Sequence, residues 1–214
     1  MTHIVIADHN RLVAEGIAKL LADDTRIGTI TRVAHLDELI RHIRLQASDV
    51  VLLDLNLPPA GGLEAIRRVL RVRDSLAIIG LGINPDGPYP ARLLELGARG
   101  LLTKGCAHSE LIEAVLKVRG GQLHLGADLA QSMVMNSLVP GESSVATLST
   151  RELAVMVLVS QGRRPREISD RLCISPKTVS TYRSRLCRKL GVQTDVELTH
   201  LSLKHGLIEA SYCS

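Results

Sequence analysis

The chain has 214 residues, 45% of them hydrophobic, enough for one large domain or two small ones with ordinary cores. It contains no Trp or Phe, so those cores must be aliphatic, and no apolar run reaches the roughly 18 residues of a membrane span. The formal charge of +4 is unevenly spread: residues 1–148 carry 15 Lys/Arg against 16 Asp/Glu, residues 149–214 carry 11 against 6, so a neutral front half precedes a back half suited to a polyanion.

Residues 3–7 form a short apolar strand directly after Met1-Thr2. This start predicts no signal peptide, and with it a cytoplasmic protein whose four scattered cysteines, Cys106, Cys173, Cys187 and Cys213, stay reduced. Helical periodicity covers residues 11–21, a weaker strand residues 27–34, and a second helix residues 36–45. Residues 49–53 are a continuous apolar strand of the kind buried on both faces. Helices at 62–71, 89–96 and 109–119 alternate with strands at 77–81 and 100–103. Five strands alternating with five helices predict an α/β doubly wound parallel sheet, with its ligand site beyond the carboxyl ends of the strands. Those ends carry Asp8, His9, Asp54, Gly82 and Lys104.

Gly120-Gly121 interrupts the alternation. Residues 1–121 are therefore read as one domain and 122–147 as a linker with a candidate helix at 129–138, closing on Pro140-Gly-Glu-Ser-Ser144. Ser149-Thr-Arg-Glu152 has the spacing of a capping box and opens an all-α domain over 148–214. A helix from Pro165 to Leu172 turns through Cys173-Ile174 into a second, with Ser175 as N-cap and Pro176 in its first turn. Val179, Leu186 and Leu190 recur at helical spacing and face inward, while Lys177, Thr178, Ser180, Thr181, Ser184, Arg185 and Arg188 occupy the other faces. This is a helix-turn-helix, whose second helix is expected in the major groove of DNA. A last helix covers 195–205 and ends at Gly206, a natural cap.

These residues carry a family resemblance. Ile6-Ala-Asp8, Val51-Leu-Leu-Asp54 with Pro58, and Leu102-Thr-Lys104-Gly105 resemble a two-component receiver. Leu148-Ser-Thr-Arg-Glu-Leu, Glu167-Ile168, Leu172-Cys-Ile-Ser-Pro-Lys-Thr-Val179 and Arg188-Lys-Leu190 resemble a LuxR/FixJ-type DNA-binding domain. Together they cover nearly the whole chain and are similar to the NarL/FixJ response regulators. Ser175–Arg183, Asp195-Val-Glu-Leu-Thr199 and His205-Gly206 resemble the GacA/UvrY subgroup in particular.

The resemblance implies a transcription regulator rather than an enzyme. Asp54 would accept a phosphoryl group from a sensor histidine kinase. Mg²⁺ would be held by Asp8, Asp54 and the Asn56 carbonyl, with Lys104 paired to the phosphoryl group. Three positions depart from the pattern. His9 replaces the second acid, and imidazole suits softer metals than Mg²⁺. Gly82 stands where a Thr or Ser is expected, and Leu101 where an aromatic switch residue is expected. Two readings stay open: Asp54 is still phosphorylated around a looser metal shell, or it survives as a partner of Lys104 in a binding module. A pH or metal sensor at His9, small-molecule gating and partner binding are further alternatives; an aromatic-lined ligand cavity would have only Tyr89 in the front half.

For the second domain the resemblance puts Ser180, Thr181 and Ser184 on base edges. It puts Lys177, Thr178, Arg183, Arg185, Arg188 and Lys189 on phosphates. Tyr182 either supports a phosphate contact or packs on the preceding helix. Val196, Leu198, Leu201 and Leu203 would serve the helical core with one face and a homodimer on double-stranded DNA with another.

Overall fold

The computed structural model describes residues 1–57, 61–83, 89–138, 144–205 and 207–208. Pro58, Gly206, Cys213 and the Pro140 to Ser143 stretch, all singled out above, lie outside the described residues. Two compact units emerge, Met1–Ile83 with Leu93–Gln131, and Asn84–Arg92 with Ser132–Ser214.

The first unit is built on β1 (Thr2–Ala7), β2 (Ile27–Val33), β3 (Val50–Asp54), β4 (Ala77–Leu81), β5 (Gly100–Leu102) and β6 (His124–Leu125). All pairs are parallel and the strand order is β2-β1-β3-β4-β5-β6. Its helices are α1 (Arg11–Ala22), α2 (Leu36–Leu45), α3 (Gly61–Val72) and α5 (His108–Arg119), while α4 (Tyr89–Glu95) and α6 (Ala127–Leu138) each have residues in both units. Every residue of β3 is buried, as a strand covered on both faces must be. Ile4, Ile6, Val50, Leu52, Ile79, Leu81 and Leu102 form one aliphatic cluster with Leu111, Val115 and Val118 of α5. The expected doubly wound sheet is present with one strand more than the five expected. His124 pairs with Gly100 and Leu125 with Leu101, so part of the expected linker extends the sheet edge. Two residues are too short a run for periodicity to register.

The register fixes the site. Ala7 is opposite Leu53, Asp54 opposite Leu81, and Leu81 opposite Leu102. The residues just past these pairs therefore meet at one edge of the sheet. After β1 the chain leaves for β2, and it returns on the other side of β1 to form β3. The loops after β1 and β3 thus diverge at the point where strand order reverses, where such folds place their ligands.

The second unit contains α7 (Thr150–Ser160), α8 (Pro165–Leu172), α9 (Pro176–Leu190) and α10 (Asp195–Lys204). Ser149 and Glu152 close the capping box reciprocally, the Glu152 N–H donating to Ser149 Oγ at 3.3 Å and the Ser149 N–H to Glu152 Oε2 at 2.9 Å. Lys189 on α9 also donates to Glu152 Oε2 at 2.8 Å, tying α9 to the start of α7. Leu153, Ile168, Leu172, Val179, Leu186 and Leu198 are all buried in this unit. Leu190 is only half-buried, because it lies in the last turn of α9. Leu198 belongs to this core with 0% exposure, which removes it from the expected dimer face; Val196, 65% exposed, and half-buried Leu201 remain.

Burial works against the charge on Glu152, but the bonds from Lys189 and Ser149 outweigh it and hold the carboxyl below its ordinary pKa of 4.5. A lowered pKa contributes stability that is present above the unfolded value and is lost as pH falls through the folded one. Glu152→Gln should cost about 1.5–3 kcal/mol at neutral pH, the usual range for a hydrogen bond to a charged group. Denaturant unfolding across pH checks this: the gap between wild type and variant should narrow once pH drops below about 4.5, and a gap independent of pH refutes it.

Candidate functional site

At the carboxyl edge of the sheet Asp54 ends β3 and Asp8 follows β1, with 0% and 2% exposure. Two buried carboxylates side by side need compensation, since burying an unpaired charge is costly. Lys104 and His9 supply it from opposite sides. Lys104 Nζ lies 2.9 Å from Asp8 Oδ2 and 3.2 Å from Asp54 Oδ1. His9 Nδ1 lies 2.9 Å from Asp54 Oδ2 and 3.8 Å from Asp8 Oδ1. An ionised carboxylate only accepts, so the His9 contact requires the ring proton on Nδ1. Backbone donors complete the cage: the Asn56 N–H meets Asp54 Oδ1 at 3.1 Å and the Asn10 N–H meets Asp8 Oδ1 at 2.8 Å. Burial disfavours the Lys104 ammonium, but Asp8 and Asp54 outweigh it and hold its pKa above the ordinary 10.5.

Asn10 is a residue the sequence reading missed. Its side chain caps α1, accepting from the Leu12 and Val13 N–H groups at 3.1 and 3.4 Å, while its own N–H orients Asp8. An Asn just ahead of an apolar-periodic segment was the available signal. Asn56, expected to offer its carbonyl to a metal, contributes its N–H to Asp54 as well.

Mg²⁺ is a poor fit to this donor set. A small hard cation takes oxygen ligands in near-octahedral geometry. Here the second acid is an imidazole, and its N–H already occupies Asp54 Oδ2. Asp54, the expected phosphoryl acceptor, is likewise constrained, since both its oxygens are engaged by donors.

The two remaining departures have structural reasons. Gly82 has φ +81°, and a Cβ there would sit 3.1 Å from Lys104 Cε. The lysine stem fills the space that a side chain at 82 would need. Leu101 is 0% exposed and packs over Gly80, whose Cβ position is 3.0 Å from Leu101 Cδ2. It has been absorbed into the core.

On α9, Ser175 caps the helix through a bond from the Thr178 N–H at 3.1 Å, and the two hydroxyls lie 2.8 Å apart. Thr178 is thus part of the cap. Ser180, Thr181 and Ser184 are exposed, and each hydroxyl donates to the carbonyl four residues earlier, at 3.2, 3.0 and 3.1 Å. With the proton used, each oxygen faces outward as an acceptor. The cations divide into two groups. Arg183 grips Asp195 through two contacts of 2.7 Å, and Lys189 is held by Glu152; both are expected on phosphates, and both have intramolecular partners here. Lys177, Arg185 and Arg188 are exposed, and among the described residues no acidic side chain pairs with them. Arg164 and Arg166 at the start of α8 are also exposed. Spacing along the sequence singles out α9 and gives no sign of them, because they precede the helix-turn-helix turn rather than follow it. Tyr182 is half-buried.

Comparison with known proteins places both units. A family described as "Response regulator receiver domain" matches residues 4–116, and one described as "Bacterial regulatory proteins, luxR family" matches residues 146–202. The response regulator UvrY of Escherichia coli K12 is 38% identical over 216 residues, spanning 100% of this chain and 99% of its own. The response regulator GacA of Pseudomonas viridiflava is 35% identical over 213 residues, spanning 99% of this chain and 100% of its own. Among solved structures, RcsB of Salmonella enterica serovar Typhimurium, bound to the rprA promoter with phosphomimetic BeF₃⁻, superposes with TM-score 0.77 at 25% identity, over 94% of this chain and 98% of that one. A further RcsB structure from Salmonella typhimurium gives TM-score 0.77 at 26% identity over 94% and 96%.

Gly82→Thr tests the crowding beside Lys104. A β-branched residue at positive φ should cost about 1–2 kcal/mol from the backbone alone, with more from displacing the lysine stem. Urea unfolding checks it, and a stability equal to wild type means Lys104 does not depend on the space at 82.

Proposed function

The chain belongs to the two-component response regulators that carry a LuxR-type regulatory domain, and from that premise we propose that it is a DNA-binding transcription regulator acting as a homodimer. Its receiver is a poor phosphoryl acceptor. The observation that carries the first part is α9, a capped helix whose outward faces offer Lys177, Arg185 and Arg188 beside the acceptor oxygens of Ser180, Thr181 and Ser184. The cations position the helix on phosphates without specifying sequence, and the short hydroxyls read base amino groups in the major groove. Arg164 and Arg166 extend the basic surface from the preceding helix. Val196 and Leu201 on α10 supply the dimer contact. RcsB has been solved bound to promoter DNA, and as two dimers bound to two parallel DNAs, which supports the assignment.

The second part rests on the caged Asp54. Phosphoryl transfer to a carboxylate depends on electrostatic stabilisation of the transferred group. Here Lys104 is bound to both carboxylates, the metal position is capped by the His9 N–H, and Gly82 and Leu101 leave nothing to carry a change onward. Control then comes from abundance, a partner or a ligand at this pocket. A sensor kinase is the partner the family implies, and Asp54 is the residue it would address, at low efficiency. The protein works in the cytoplasm on double-stranded DNA and turns over no substrate.

Two measurements test this reading. Arg185→Ala and Arg188→Ala should weaken binding across sequences selected from a random DNA pool and lower the log–log salt slope by about 1 each. Arg183→Ala should act mainly on stability. Salt slopes equal to wild type for both exposed arginines refute the α9 assignment. Intact-mass analysis after acetyl phosphate and Mg²⁺ should show little added phosphoryl mass, without loss of DNA binding. Stoichiometric phosphorylation that Asp54→Asn abolishes overturns the receiver reading.

A further inference from the structure

We propose that Asp8, His9 and Asp54 form a binding site for a divalent first-row transition ion of the Zn²⁺ class, in place of the Mg²⁺ that the family implies. The inference deepens the reading of the receiver above and rests on it, because a pocket working through Mg²⁺ would have no use for the imidazole.

The oxygens of the two carboxylates are sorted by side. Asp8 Oδ2 and Asp54 Oδ1 face Lys104; Asp8 Oδ1 and Asp54 Oδ2 face His9. An ion that takes the place of the Nδ1 proton meets one nitrogen and two carboxylate oxygens without disturbing the ammonium. Such ions bind imidazole and carboxylate at about 2.0–2.2 Å, which sets neighbouring ligands roughly 3–3.5 Å apart. His9 Nδ1 already stands 2.9 Å from one of these oxygens and 3.8 Å from the other. One ligand atom from each of the three residues falls within 4.8 Å of the others, the one such group of His, Cys, Asp or Glu among the described residues.

The charge balance points the same way. Asp8 and Asp54 are 2% and 0% exposed, and Lys104 meets one oxygen of each, at 2.9 and 3.2 Å. One ammonium set against two buried carboxylates leaves their second oxygens, on the His9 side, favourable to a cation. The supporting bonds are also in place. The Asn10 and Asn56 N–H groups hold the two carboxylates, as outer partners hold metal ligands. The His9 side chain is 45% exposed, which gives the ion a route in and leaves room for water on its remaining positions. On binding, Nδ1 gives up its proton and the neutral ring carries its proton on Nε2. Carboxylate and imidazole together suit zinc, cobalt or nickel and are poor for magnesium.

Titration calorimetry on the full chain, with Zn²⁺ alone and Mg²⁺ alone, tests the site against His9→Gln and His9→Asp. Wild type should take up one Zn²⁺ per chain at this site, and excess Mg²⁺ should not displace it. His9→Gln removes a direct ligand and should lose more than the roughly 10–100-fold in affinity that an outer partner costs. His9→Asp should weaken Zn²⁺ and gain Mg²⁺ binding. Co²⁺ spectra should show nitrogen and oxygen ligation without a thiolate band, which separates this site from Cys106, Cys173, Cys187 or Cys213. Zn²⁺ binding unaffected by His9→Gln, a thiolate band, or Mg²⁺ bound by wild type as tightly as Zn²⁺ overturns the proposal. Phosphorylation is read by mass on the same preparations. Absent Zn²⁺ binding with no phosphorylation defeats the metal site alone, whereas phosphorylation in Mg²⁺ defeats the receiver reading.

Discussion

Two carboxylates are buried side by side at the carboxyl edge of the sheet, and their charge has to be balanced. Asp8 and Asp54 are carried to that position by strand register, and neither can reach water. Lys104 answers from one side and His9 from the other. The surrounding features follow from this balance. Gly82 is small so that the lysine stem can pass, and Asn10 and Asn56 spend backbone donors on the same oxygens. His9 makes this edge a carboxylate–imidazole–carboxylate arrangement in place of a purely acidic one. The chemical character of a donor set, hard oxygen or softer imidazole, governs which cations it suits.

The helical unit solves a different problem. It must present cations on one helix while keeping four short helices together. Glu152 is its junction, serving at once as capping-box acid and as partner of Lys189. Arg183 similarly braces α9 against the start of α10 through Asp195. Two of the helix's cations are thereby withdrawn from the surface field, and Lys177, Arg185 and Arg188 are left to interact with solvent or a polyanion. Counting basic residues along α9 therefore overstates the charge it offers.

Family membership and site chemistry separate cleanly here. A relative that is 38% identical along nearly its whole length shares the architecture, since architecture depends on apolar runs, caps and register that tolerate much substitution. The chemistry at the pocket depends on a handful of atoms. His9, Gly82 and Leu101 are accommodated there without disturbing the sheet, and fold alone does not determine function.

The sequence by itself determined the alternation that builds a parallel sheet, the Ser149–Glu152 capping box, the Ser175 cap of the second helix of the helix-turn-helix, and the positions of Asp8, Asp54 and Lys104 at strand ends. These features are local: period, cap chemistry and strand termini are written in neighbouring residues. Asymmetry of charge between the halves was equally plain. Tertiary structure alone decided the rest, because it depended on residues far apart in the chain. It added the two-residue β6, placed Leu198 in the core, and withdrew Arg183 and Lys189 into ion pairs. It also showed which oxygen of each carboxylate faces Lys104 and which faces His9. No pattern along a chain encodes that sorting, since it arises only when the ends of β1, β3 and β5 are brought to one edge.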